Sequence, residues 1–136
     1  MSERDIRYKA LAAAVVAKAV KDFESAYKKL RHWDSLQKKG KLKDFVLREV
    51  FSQEGKRTKC YNRVTITRDN QSAIDFFKPD SRAGNLFCAM LDIDIDDLPG
   101  KLREQVEFAA INLKPLQGKV WAYYNQAQRK IMDKKK

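Results

Sequence analysis

The chain is expected to be mainly α, a single-domain helical bundle around a long N-terminal helix, with one short strand near residues 60–67. Three observations predict this class. Apolar residues from Leu11 to Trp33 recur at alternating spacings of three and four, the signature of an amphipathic helix. Gly and Pro together number only eight in 136 residues, which leaves little material for long loops. Hydrophobic residues make up 43% of the chain, enough to bury one core without staples.

The elements follow in order. The first helix is placed from about Glu3 to Trp33, its propensity raised by Ala filling. Such length suits the spine of a bundle or the seam of a homodimer. Asp34 to Gly40 reads as a positively charged connector. A second helix, Leu42 to Gln53, presents Leu42, Phe45, Val46 and Val50 on one face. Gly55 follows as a stop. From Cys60 to Thr67, alternation with β-branched residues favours extended chain. Thr67, Asp69 or Asn70 caps a short third helix, Gln71 to Phe77. Pro79 ends it, and Ser81 caps the next, Arg82 to Leu91.

"DIDIDDLPG" has the rhythm of a calcium loop. Its sixth position is Asp97 rather than Gly, however, and its twelfth is Arg103 rather than Glu, so the turn and the bidentate ligand are both missing. Asp96 or Asp97 instead caps a helix beginning at Leu98 or Pro99. Pro115 separates that helix from a last one, Leu116 to about Met132. Residues 1–5 and 133–136 are read as frayed ends of one domain spanning 1–136.

Two segments carry a resemblance. "AVKDFESAYKKL" (Ala19 to Leu30) and "AIDFFKPDSRAGNLFCAMLDIDIDDLPGKLREQVE" (Ala73 to Glu107) combine a Lys-Asp-aromatic helix, paired Phe-Phe, a Ser-capped short helix, an Asp-rich turn and Lys-Leu-Arg-Glu. Together they resemble small helical proteins of phages and prophages of Gram-positive bacteria, a group without an assigned activity. The likeness covers about one third of the chain. It departs at Arg82 and Ala83, where the pattern has an aromatic after the capping Ser, and at Asp96-Asp97, where it has Asp-Gly. The stretch from Lys56 to Arg68 has no counterpart. The resemblance implies a helical fold and a phage or mobile-element source, and it carries over no functional residue.

Chemistry is sparse. "EGKRTK" has a Gly-Lys pair but lacks the upstream glycine and strand of a phosphate loop. Cys88 in "NLFC" has only His32 in the whole chain to act as its base, and His32 reads as a surface side chain. Cys60 and Cys88 read as plain thiols rather than a disulfide or a metal pair. Asp92, Asp94 and Asp96 would align only on a strand. No enzymatic activity, cofactor or metal is expected. No apolar run reaches 18 residues, and charged residues follow Met1, so the expected location is the bacterial host cytosol.

Charge carries the functional reading. The net charge is +11. Residues 28–63 alone hold 12 basic and 4 acidic side chains, net +8. This asymmetry points to a polyanionic partner, nucleic acid first. The candidate contacts are Lys38, Lys39, Lys41 and Lys43, then Lys56, Arg57, Lys59, Arg63 and Arg68, with Tyr61 to stack on a base. No base-reading motif is complete, so binding led by phosphates and weak in sequence preference is expected. The alternative partner is a host protein, such as a component of anti-phage defence, met through Trp33, Trp121, Tyr123 and Tyr124. A homodimer through the N-terminal helix is the third expectation.

Overall fold

In the computed structural model, residues 3–52, 64–94 and 100–134 are described. Five helices hold nearly all of them: α1 Glu3–Lys38, α2 Leu42–Ser52, α3 Arg68–Phe76, α4 Arg82–Met90 and α5 Gly100–Lys134. The protein is a mainly α helical bundle with a long N-terminal helix, and no strand occurs among the described residues. None of the described helices is long and apolar enough to cross a membrane.

The chain divides into two compact units. One combines Met1–Tyr27 with Arg68–Ala110, the other Lys28–Thr67 with Ile111–Lys136. Helices α1 and α5 each contribute to both. The first unit is built on aromatic contacts. Phe23 meets Phe77 edge-on at 5.7 Å, Phe77 meets Phe76 at 5.1 Å, and Phe76 stacks on Phe87 at 6.4 Å. Asn70 is buried in α3, where its amide donates to the Asp22 carbonyl of α1 at 2.9 Å, so the polar group is satisfied. The second unit buries Leu30 and Trp33 of α1, Val46 and Val50 of α2, and Leu116, Val120 and Ala127 of α5. Trp33 is 1% exposed, which removes it from the set of side chains able to meet a partner.

Four expectations need correction. First, α1 runs to Lys38, past the expected end at Trp33. Leu36 and Gln37 stay half-buried, and Lys38 pairs with Asp34 one turn back at 3.1 Å. The stop comes at Gly40, whose φ is +70°. The Gly40 N–H donates to the Gln37 carbonyl and the Lys41 N–H to the Leu36 carbonyl, at 3.0 and 2.8 Å, the paired closure of a Schellman motif. Lys41 in turn accepts from the Phe45 N–H, so α2 starts at once and the connector shrinks to three residues.

Second, Pro115 lies inside α5 rather than between two helices. Proline removes one intrahelical donor and crowds the preceding turn. Leu113, Leu116 and Val120 are buried around it, and that packing holds the helix continuous across the defect. Third, the expected strand is not formed where it can be seen. Residues 60–63 lie outside the described residues, while Thr65, Ile66 and Thr67 form an irregular connection. Val64 and Thr65 are both buried, which breaks the alternation of a pleated strand. Side chains satisfy this backbone instead of a ladder. Lys29 Nζ donates to the Thr65 carbonyl at 3.1 Å, and the Ile66 N–H donates to Gln117 Oε1 at 2.7 Å. Fourth, the last helix runs further than its expected end at about Met132. Asp133 and Lys134 belong to α5, while α1 begins at Glu3 as expected.

Other expectations are met. Ser81 caps α4, its Oγ accepting from the Gly84 N–H at 3.0 Å. Asp92 closes the same helix in the left-handed region at φ 59°. Its N–H reaches the Ala89 carbonyl, and the Ile93 N–H reaches the Cys88 carbonyl. Asp92 also pairs with Lys9 of α1 at 3.4 Å. The first carboxylate of the Asp-rich run is thus a helix stop, and Asp96 and Asp97 lie outside the described residues.

Candidate nucleic-acid interface

The α1–α2 turn gathers four of the predicted cations. Lys38, Lys39, Lys41 and Lys43 are all exposed. The Schellman closure packs them into six consecutive residues around Gly40. Lys38 and Lys39 have a local role, because cations at a helix C-terminus offset its partial negative charge, whereas Lys41 and Lys43 stand at the start of α2, where the dipole does not favour them. Their number exceeds that need. Lys38 is tied to Asp34, but no ion pair among the described residues engages Lys39, Lys41 or Lys43.

Arg68 is exposed as the first residue of α3 and belongs to the first unit, apart from the turn cluster's unit. Lys56, Arg57, Lys59, Tyr61 and Arg63 lie outside the described residues. The segment that carries them leaves α2 after Ser52 and rejoins the described chain at Val64. Both anchor points are defined. Near its start, Lys134 of α5 sits over the Phe51 ring at 5.4 Å. Near its end, Lys29 and Gln117 hold the Thr65–Ile66 backbone. Burial pushes the Lys29 ammonium below its ordinary pKa. Among the described residues Gln117 Nε2 is buried without an acceptor.

Grouping charge by unit rather than by position along the chain changes its distribution. The second unit has 19 basic and 5 acidic side chains, net +14, while the first has 10 and 13, net −3. Restricted to described residues, the second unit still carries 13 basic against 4 acidic, net +9. In the first unit, opposite charges meet one another: Arg7–Glu3, Lys9–Asp92, Lys18–Asp22 and Lys78–Asp75.

Sequence reasoning missed the share of α5. Lys114, Lys119, Arg129, Lys130 and Lys134 are exposed cations that fold into the same unit as the Lys38–Lys43 turn. One signal was present, because no carboxylate occurs between Glu107 and Asp133. The aromatic residues of this helix are less available. Trp121, Tyr123 and Tyr124 are half-buried, and Trp121 meets Tyr124 edge-on at 5.4 Å.

The Cys88 thiol is buried, and burial pushes its pKa up, away from the reactive thiolate. His32 is exposed, with its ring edge-on to Phe45 at 5.0 Å. Comparison with protein-family models, with curated proteins and with solved structures returns no match.

Proposed function

We propose that the protein binds nucleic acid through its second unit, in a mode led by phosphates and weak in sequence preference. One observation carries this reading: the net charge of +14 on Lys28–Thr67 and Ile111–Lys136 against −3 on the rest. Clustered cations displace the counterions condensed on a polyanion, and that release drives association. A charge contrast of this kind also orients the encounter, since the field of the basic unit steers the phosphates toward it.

The test compares two sets of four substitutions in the full chain. Lys38, Lys39, Lys41 and Lys43 changed to Ala should weaken binding to a labelled 20-base-pair duplex at least tenfold, read by fluorescence anisotropy. Arg4, Lys21, Arg82 and Lys101 changed to Ala should leave affinity within about twofold, since steering by a net-acidic unit is small. Equal losses from both sets would reject the assignment to the second unit.

A second reading, capture of a host protein such as a component of anti-phage defence, is favoured by a different observation. Ile6, Tyr8, Leu11, Leu86 and Ile93 are exposed large apolar side chains, and all five belong to the first unit. Exposed large apolar side chains are a feature of protein-binding surfaces. On this reading, changing Leu11 and Leu86 to Ser abolishes co-purification of a host protein with the tagged chain, while duplex affinity stays intact.

A further inference from the structure

The outward face of α5 is chemically unusual. Lys114, Gly118, Ala122, Asn125 and Arg129 follow one another at spacings of four, four, three and four, and all are exposed. They therefore form one line along the helix. Lys119 and Lys130 lie together on one side of it, roughly 100° further round the helix, and are exposed as well. No ion pair among the described residues engages Lys114, Lys119, Arg129 or Lys130. The middle of the line is low, with only a hydrogen and a methyl group at Gly118 and Ala122.

Among the described residues, Gly118 answers no packing need. A mid-helix glycine costs about 1 kcal/mol relative to alanine. A Cβ placed at Gly118 would meet nothing within 4 Å, so no neighbour among the described residues requires its absence. Glycine at this position leaves room for the close approach of a surface from outside.

We infer that this face of α5 enters the major groove of duplex DNA, with Asn125 and Arg129 contacting base edges and Lys114, Lys119 and Lys130 contacting phosphates. The inference rests on the nucleic-acid reading above and adds the element that touches bases. The groove is about 12 Å wide and admits an α-helix. Asn pairs with the adenine edge and Arg with the guanine edge through two hydrogen bonds each, and an Ala methyl suits the thymine methyl. From Ala122 to Arg129 the helix rises about 10 Å, close to three base-pair steps of about 3.4 Å. A preference spread over about three base pairs is consistent with weak overall specificity.

Selection of bound sequences from a random duplex library by the full chain tests this directly. A short enriched motif containing adenine or guanine is expected. Asn125→Ala with Arg129→Ala should erase the enrichment and weaken binding to the selected duplex about tenfold or more, while affinity for random duplex is nearly kept. Lys114→Ala with Lys119→Ala should weaken selected and random duplex alike and reduce the salt slope by about 2. Gly118→Leu should lower duplex affinity without lowering the melting temperature. Duplex binding with no enriched motif overturns the inference and leaves the phosphate-led reading standing. So does a motif that survives the Asn125 and Arg129 changes. Absence of any binding to duplex or single strand at 50 mM salt overturns both.

Discussion

Lys29 shows how a single basic side chain can be structural inside a basic protein. Its ammonium is half-buried and donates to the Thr65 carbonyl, so it anchors the chain where the Lys- and Arg-rich segment returns. Burial lowers its pKa from 10.5. The unfolded chain then holds this proton more tightly than the folded one. As pH rises from the lowered folded value toward 10.5, folding stability must rise, because the cost of a buried charge is removed. Urea unfolding across this window should show the native protein gaining stability relative to Lys29→Met. A pH-independent difference would mean that Lys29 binds its proton equally in the folded and unfolded chain. Asp92 makes a comparable point. Its role is set by a left-handed backbone and an ion pair with Lys9, neither of which an Asp-x-Asp pattern reveals.

At the scale of elements, two glycines predict opposite signs. Gly40 ends α1 at φ +70°, with nothing within 4 Å of an added Cβ. Replacing it with Ala costs about 1–2 kcal/mol, the price of a left-handed L-residue. Gly118 lies within α5 with the same open surroundings and no positive φ, so Ala there should stabilise by about 1 kcal/mol. Thermal melts of the two variants should move in opposite directions, and a shift of the same sign would contradict the assigned backbone roles. Much of this level was legible in the sequence. The Ser81 cap, the face of α2 and the spacing along α1 are local signals, and they were readable because each acts within about one turn. The ends of α1 and α5 were not. Lys38 looked like loop because it is charged, yet charge is tolerated in a last turn. Pro115 looked like a terminator, yet buried neighbours on both sides of it hold the helix together. The strand expected near residues 60–67 rested on β-branched alternation, and in its described part Gln117 and Lys29, 51 and 36 residues distant in sequence, supply the hydrogen bonds instead.

For the molecule as a whole, the basic surplus of the N-terminal half was visible in the sequence, but its true grouping was not. Which residues share a unit depends on where two long helices are divided between units, and periodicity carries no such information. The second half of α5 joins Lys28–Thr67, raising that unit to net +14 and leaving the other at −3. Of the predicted contacts, the turn cluster lies in the basic unit and Arg68 lies outside it. The central claim is that this unit exchanges counterions with a polyanion. Anisotropy titrations of a labelled duplex from 50 to 300 mM salt test it most directly. Each phosphate neutralised contributes about −0.9 to the slope of log affinity against log salt. The account predicts a slope of about −4 or steeper, with single strands giving a shallower line. A flat line, or no binding at 50 mM, would contradict it.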